Sequence, residues 1–207
     1  MNLRISGGAA LRGCILPVIV AVGASGVRGL EDLQALLSAL PDDLRAIVLI
    51  VLHRPAHLES SLHEILSRRQ PTPVVVARDG QRLTWSQRYI GEPSRHLTLG
   101  SGCTAQLIHD PTHAYRNRTA DALFHSVAEH AGRNGIGVVL SGGLDDGARG
   151  LAAIKAAGGG TLVRTPASRS AGGMPESAIR HNDPVDVVGM PRDLAEWLVQ
   201  RIRNLRC

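Results

Sequence analysis

Runs of apolar residues alternate with amphipathic stretches along most of the chain. Short β-branched runs predict strands, and leucines at three- and four-residue spacing predict helices between them. The residues at 30, 33, 36, 37 and 40, for example, are leucines that end at a proline. The predicted strands are residues 15–22, 46–52, 73–77, 136–140, 161–164 and 185–188, with a short apolar segment at 178–180. The predicted helices are residues 30–40, 58–69, 120–133, 148–157 and 193–204.

The pattern changes between residues 79 and 110. Glycines and prolines there separate short alternating pieces at 88–90 and 96–99, which is typical of hairpins. The alternation on both sides favours a parallel sheet covered by helices. We therefore predict an α/β fold: a doubly wound, mostly parallel sheet with helices on both faces and a small antiparallel hairpin insertion.

Composition limits the class of protein. The chain has 207 residues and is 43% hydrophobic but only 2% aromatic, which favours one domain with an aliphatic core. No apolar run reaches the roughly 18 residues of a membrane span, so we expect no membrane insertion. A secretory signal at residues 12–24 is a weaker interpretation than a buried first strand, because a proline and a glycine loop interrupt it.

The cysteines and the net charge limit which cofactors and binding partners are expected. Cys14, Cys103 and Cys207 are far apart and form no C-x-x-C pair, so we expect no metal site, no cofactor and a cytoplasmic location. The net charge of +5 favours acidic partners. The arginines are scattered without an aromatic-interleaved basic stripe, so nucleic acid is not the expected partner.

Three predicted strands end in residues that could carry chemistry. In a parallel sheet, functional groups gather outside the carboxyl ends of the strands. Ser25, His53 and Asp146 follow three such strands and could supply a nucleophile, a general base and a group that orients the base. Each also has a structural alternative: Ser25 as a helix N-cap, His53 as a hydrogen-bonded structural histidine, and Asp146 as a cap for the helix that starts at residue 148.

The glycines at 23, 26 and 29 raise a second possibility, a dinucleotide site. Such a site requires an acidic residue near the end of the second strand, but His53 stands there, and only the adjacent Arg54 would suit NADP. A reductase of the short-chain type would also need Tyr-x-x-x-Lys. Tyr89 and Tyr115 are followed at that spacing by Pro93 and Thr119, so that chemistry is not expected.

Several motifs occur together in one order. They are GAS at 23–25, H-x-P at 53–55, DG at 79–80, YIGEPSRH at 89–96, LFHSVAEHAGRNGIGVVLSGGLDDGARG at 123–150 and GGMPESAI at 172–179. In these motifs the chain resembles the catalytic domain of the CheB-type chemotaxis protein-glutamate methylesterases, from about residue 18 to the final helix. The resemblance implies an N-terminal extension at 1–17 and a catalytic domain at 18–205.

The resemblance implies a serine hydrolase that removes methyl esters from glutamate side chains in the helical cytoplasmic region of methyl-accepting chemotaxis receptors. Related enzymes also deamidate glutamines there. Ser25 would be the nucleophile, His53 the base and Asp146, rather than Asp145, the orienting carboxylate. The backbone amides of Gly26 and Gly143 would form the oxyanion hole. No cofactor is implied.

The sequence also departs from this family. Val27 and Arg28 stand where the family usually has glycines, and Gly143 and Leu144 stand where it usually has methionine and glycine. Because residues 1–17 are too few for the receiver domain that usually controls these enzymes, we expect either constitutive activity or a separate regulatory protein. The alternatives are a serine esterase of the same fold with another substrate and a non-catalytic module that docks on receptors.

Overall fold

The computed structural model of the protein describes residues 17–53, 62–68, 70, 72–110, 118–167, 172–182 and 184–205. The strands in these ranges are β1 (Val18–Ser25), β2 (Ala46–His53), β3 (Val74–Val76), β4 (Gln87–Ile90), β5 (Arg95–Gly100), β6 (Thr104–His109), β7 (Gly135–Val139), β8 (Gly160–Arg164) and β9 (Val187–Gly189). The helices are α1 (Gly26–Ala39), α2 (Leu62–Ser67), α3 (Thr119–Ala131), α4 (Ala148–Ala156), α5 (Met174–Asn182) and α6 (Pro191–Asn204).

A seven-stranded sheet forms the centre of the protein, with the strand order β3-β4-β2-β1-β7-β8-β9. Every neighbouring pair in it is parallel. From β1 the chain continues to β2 on one side and later returns to β7 on the other. The strand order therefore reverses at β1, and the carboxyl ends of β1 and β7 flank the crevice where ligands bind in such sheets.

The strands of this sheet are apolar on both faces because helices cover both. Along β1, Val18, Val20 and Val22 pack into one hydrophobic cluster with α1, α2 and α6. Ile19 and Ala21 pack into a second cluster with α3, α4, α5 and the β5–β6 hairpin. The predicted doubly wound sheet with helices on both faces is confirmed.

The predicted hairpin insertion is also present. Strands β5 and β6 form a separate antiparallel sheet, which packs on the same side as α3. The Asp79-Gly80 pair anchors this hairpin: Asp79 Oδ1 accepts the Leu107 N–H at 2.9 Å, and the Gly80 N–H donates to the Ala105 carbonyl at 2.9 Å. This motif of the sequence is therefore structural.

One strand prediction was wrong. We predicted that residues 88–90 belong to the hairpin insertion, but β4 is a parallel strand between β3 and β2 in the main sheet. Arg88 is a charged residue within this strand. Its side chain is in fact buried, and its guanidinium donates to Gln70 Oε1 at 2.7 Å and to the Leu40 carbonyl at 3.2 Å.

Several element boundaries differ from the sequence prediction. Strand β1 ends at Ser25 and α1 begins directly at Gly26, whereas the sequence predicted a loop there. The apolar segment 178–180 is part of the longer helix α5. The predicted helix 58–69 is seen as α2, and residues 54–61 and 69 lie outside the described residues. No helix in the described part of the chain is long and apolar enough to cross a membrane.

Candidate active site

Ser25 and His53 lie side by side at one edge of the sheet. They are the last residues of β1 and β2, and they are register partners in this parallel pair. Register partners of adjacent parallel strands project from the same face, and such strands lie about 4.8 Å apart. The two predicted site residues are therefore brought together by strand pairing alone.

A short hydrogen bond links His53 to Asp146. The ring Nε2 lies 2.7 Å from Asp146 Oδ2, and the histidine side chain is 23% exposed whereas the aspartate is only 2% exposed. Because Nε2 faces the carboxylate, Nδ1 is the ring nitrogen that remains for a serine hydroxyl. This arrangement exchanges the two ring nitrogens relative to the chymotrypsin-type triad.

Helix α3 holds the Asp146 carboxylate from the other side. The backbone N–H groups of Ala120 and Asp121, in the first turn of α3, donate to Asp146 Oδ2 and Oδ1 at 2.9 Å each. The first N–H groups of a helix have no partner within the helix, and the positive end of its dipole favours a negative charge. Asp146 thus caps α3, a helix distant in sequence, and is fixed by backbone donors while it contacts His53.

A second buried carboxylate lies beside Asp146. Asp121 Oδ1 accepts the Gly150 N–H at 2.8 Å. Arg118 lies 3.5 Å from Asp121 Oδ2, and this oxygen has no hydrogen-bond partner among the described residues. Burial raises the pKa of Asp121 above its ordinary value of 3.8, and the nearby charge of Asp146 raises it further. The Gly150 hydrogen bond, His125 and Arg118 act in the opposite direction. Sequence analysis missed this residue, since an acidic residue in the first turn of a helix is usually solvated.

The turn between β1 and α1 presents Ser25. Gly26 has φ +71°, a left-handed conformation that favours glycine, and no atom of a neighbouring residue would obstruct an added Cβ. Ser25 occupies the N-cap position of α1, yet its side chain makes no capping hydrogen bond. The capping alternative for Ser25 therefore does not account for its hydroxyl.

Backbone contacts fix the turn at Ser25. The Ser25 N–H donates to the Ser141 carbonyl at 2.9 Å. Gly26 is the first residue of α1, so its N–H is one of the helix donors without an intrahelical partner. An amide at this position can point at an anion beside Ser25.

The loop after β7 approaches Ser25 closely. A Cβ added at Gly142 would lie 2.9 Å from Ser25 Cβ and would also collide with Met174, so only glycine fits. Gly143 and Gly173 pair as an isolated antiparallel β-bridge. Next to this pair, the Met174 N–H donates a hydrogen bond to the Gly142 carbonyl at 2.9 Å. That hydrogen bond does not use the Gly143 amide.

A cavity of about 380 Å³ opens between these two loops. Its wall includes Ser25, both predicted oxyanion-hole glycines and three charged side chains. The charged residues are Arg28, Arg164 and Glu176. The cavity lies at the carboxyl ends of β1 and β7, where the strand order reverses and where sheets of this type bind ligands.

A buried ion pair supports the wall of this cavity. Arg164 Nε lies 3.1 Å from Asp32 Oδ2, with side-chain exposures of 15% and 12%, and the same oxygen accepts the Ser141 N–H at 3.2 Å. Arg164 Nε is not aligned as a hydrogen-bond donor, so the contact is electrostatic. Since Ser141 also accepts the Ser25 N–H, Asp32 is connected to the serine through one residue.

The adjacent residues Asp145 and Asp146 have different surroundings in the structure. Asp145 is 51% exposed and pairs with Arg149 at 3.6 Å, whereas Asp146 is buried against His53. Asp146 does not cap α4 as the structural alternative supposed, because the N-cap position is Gly147 and it provides no side-chain hydrogen bond.

Close packing requires glycine at positions 23 and 29, with no need for a bound dinucleotide to explain them. A Cβ at Gly23 would lie 2.7 Å from Ala120 Cβ, and one at Gly29 would lie 2.6 Å from the Ser141 carbonyl oxygen. The spacing is thus explained by close contacts of β1 and α1, and Arg54 lies outside the described residues. Within the described ranges, no three histidine, cysteine, aspartate or glutamate residues are placed to hold a metal ion.

A serine at the end of a central parallel strand, a histidine beside it and a buried carboxylate on that histidine are the groups that α/β serine hydrolases use. The sequence profile described as CheB methylesterase matches residues 20–198, and the chain belongs to this family.

Comparison with known proteins gives the same family. The chain is 38% identical over 185 residues to the protein-glutamate methylesterase/protein-glutamine glutaminase of Salmonella typhimurium (strain LT2), with 88% of this chain and 52% of that protein covered. The proteins of that name from Yersinia pestis bv. Antiqua and Escherichia coli (strain K12) are 39% and 38% identical over the same coverage. The chain therefore spans about half the length of these curated relatives.

A solved structure has the same architecture. The crystal structure of the Thermotoga maritima CheB methylesterase catalytic domain superimposes with a TM-score of 0.80 at 25% sequence identity. The match covers 90% of this chain and 99% of that domain. Residues of this chain thus correspond to the whole of a catalytic domain.

Proposed function

We propose that this protein hydrolyses methyl esters on glutamate side chains of chemoreceptors, with Ser25, His53 and Asp146 as its catalytic residues. The observation that carries the proposal is the 2.7 Å hydrogen bond from His53 to the buried Asp146, with Ser25 as the register partner of His53. The names of the curated relatives support this substrate class, since they are protein-glutamate methylesterases and protein-glutamine glutaminases.

The first half of the reaction forms an acyl-enzyme. Ser25 Oγ attacks the ester carbonyl carbon while His53 Nδ1 takes the hydroxyl proton. Asp146 keeps the ring oriented and stabilises the imidazolium that forms. The negative charge on the carbonyl oxygen would be stabilised by the backbone N–H groups of Gly26 and Gly143. His53 then returns the proton to the departing methoxide, and methanol leaves.

The second half regenerates the serine. Water attacks the acyl carbon while His53 accepts its proton. The tetrahedral intermediate then collapses, His53 returns the proton to Ser25 Oγ, and the product leaves and ionises to the glutamate carboxylate. The same attack on a glutamine side chain would release ammonia in place of methanol, so we include deamidation of receptor glutamines. We propose that the reaction takes place in the cytoplasm, on the cytoplasmic helical region of the receptors, under the control of a separate regulatory protein.

Methanol release from a methylated receptor fragment, compared between the parent protein and Ser25→Ala, tests this function. We expect release by the parent and none above background by the variant. Labelling of Ser25 by a fluorophosphonate without methanol release would identify a serine esterase with another substrate. No labelling and no release would favour the non-catalytic receptor-docking module.

A further inference from the structure

The two most exposed large apolar side chains in the described part of the chain flank the candidate site. Val27 is 74% exposed and Leu144 is 62% exposed. Val27 follows Ser25 closely in sequence, and Leu144 closely precedes Asp146. Apolar side chains left in water beside a reactive group are typical of contact surfaces.

The backbone conformation of Leu144 also indicates a contact surface. Its φ is +65°, a left-handed conformation that residues with a Cβ adopt reluctantly and that glycine adopts freely. A leucine with this exposure gains little from packing in the protein itself. The side chain is therefore kept at a position where glycine would give a more stable loop, which points to a role outside the core.

Val27 and Leu144, called the rim residues below, belong to two different segments beside the 380 Å³ cavity. Val27 lines the cavity from the first turn of α1. Leu144 directly follows Gly143, another lining residue, and its carbonyl accepts the Ser177 hydroxyl of α5 at 3.4 Å. One exposed apolar residue thus belongs to the α1 side of the cavity, and the other belongs to the loop that contacts α5.

We propose that Val27 and Leu144 determine specificity by contacting apolar side chains on either side of the reacting glutamyl residue of a protein substrate. This inference rests on the proposed function. An amphipathic helix meets the requirement, because residues three and four positions away from the glutamate lie next to it on the helix surface. A small ester that fits within the cavity has no flanking side chains to make these contacts.

The test compares a large substrate with a small probe. The variants are Leu144→Ala, Leu144→Gly and Val27→Ala, and the matched control is Val188→Ala, which trims a 45% exposed valine on the edge strand β9. Each is assayed for methanol release from a methylated receptor cytoplasmic fragment and for the rate of labelling by a small fluorophosphonate.

We expect the three rim variants to lose about tenfold in kcat/KM on the receptor fragment, because each removes apolar contact area. Their labelling rates should fall much less than their kcat/KM on the receptor fragment, because the small probe has no flanking side chains. Val188→Ala should match the parent in both assays. Leu144→Gly should also have a higher Tm than Leu144→Ala, because glycine relieves the positive φ, yet it should be no more active.

Each contrary result is distinct. Rim variants as active on the receptor as the parent would overturn the inference and leave the proposed function intact. Equal losses on the receptor and the probe would also overturn it, since the residues would then act on the triad loops. A parent that labels but releases no methanol would overturn the proposed function, and the inference with it.

Discussion

Asp146 accepts hydrogen bonds from the first turn of α3, the helix that carries Asp121. Asp121 in turn accepts a hydrogen bond from the first turn of α4, the helix that follows Asp146. The Asp121 N–H, on α3, donates to Asp146 Oδ1 at 2.9 Å, and the Asp121 carboxylate accepts the Gly150 N–H of α4 at 2.8 Å. The two helix N-termini are thus joined through two buried carboxylates, one of which contacts His53. The orientation of the histidine depends on the packing of α3 against α4.

Asp146→Asn is expected to lower kcat roughly 10⁴-fold, the size of effect seen when a triad aspartate is replaced by asparagine. The amide can still accept one backbone N–H, but it no longer selects the ring tautomer in which Nε2 carries the proton. Labelling by a fluorophosphonate and methanol release measure the loss.

Asp145→Asn is the matched control, because Asp145 is the adjacent aspartate but is half-exposed and pairs with Arg149 at the surface. Its activity should stay within about twofold of the parent, as expected for a surface ion pair. If Asp145→Asn were the more damaging change, the assignment of the carboxylate would be wrong.

Asp121→Asn should change the pH dependence of stability. Burial raises the pKa of Asp121 above 3.8, so the folded protein holds this proton to higher pH than the unfolded chain does. The resulting stabilisation is complete below the unfolded value and is lost as the pH rises through the folded pKa. Asparagine has no such proton and can still accept the Gly150 N–H.

Urea unfolding between pH 4 and neutral pH measures this difference. The free energy of unfolding of the parent should decline with rising pH relative to that of Asp121→Asn, so the two curves should converge or cross as the pH increases. Parallel curves over the whole range would contradict a buried carboxyl with a raised pKa.

The strands that carry Ser25 and His53 could be predicted from the sequence because they are continuous apolar runs, as expected for parallel strands buried on both faces. The start of α1 could not. Gly26 and Gly29 look like a loop, but one supplies a left-handed turn and the other lets the helix approach the Ser141 carbonyl. Neither the backbone conformation nor the long-range contact can be read from the sequence.

The same limit applies to the site. Asp146 could be chosen over Asp145 from the family motif, but its capping of α3 joins segments far apart in the chain. Asp32 lies on the otherwise apolar side of an amphipathic helix, and the sequence offers no sign that Arg164 would neutralise it. Long-range polar pairs of this kind have no periodicity, so pattern analysis misses them.

The turn at Ser25 should be most stable with glycine at position 26. Gly26→Ala would place a Cβ in a left-handed conformation and should destabilise the protein by about 1 kcal/mol, even though the space around it is open. Gly143→Ala is the matched comparison, since its surroundings are equally open and its φ is not positive. Urea unfolding should show a loss for the first variant and less than about 0.5 kcal/mol for the second.

Asp32 should act as a positioning residue for Ser25. Its carboxylate neutralises Arg164 at 3.1 Å and accepts the Ser141 N–H, and Ser141 in turn accepts the Ser25 N–H. Asp32→Ala would leave the arginine without its partner and the Ser141 amide without its acceptor, at a cost of about 3 kcal/mol. Asp32→Asn keeps an acceptor for Ser141 and should lose less.

The readout that separates positioning from simple destabilisation is the fluorophosphonate labelling rate of fully folded protein at low temperature. The rate should fall in the order parent, Asp32→Asn, Asp32→Ala, because the Ser141 contact that holds Ser25 is weakened in that order. Glu92→Gln, which breaks an ion pair with Arg95 whose side chains are about 40% exposed, serves as the control and should change neither stability nor labelling. If folded Asp32→Ala were labelled as fast as the parent, Asp32 would contribute to stability but not to the positioning of Ser25.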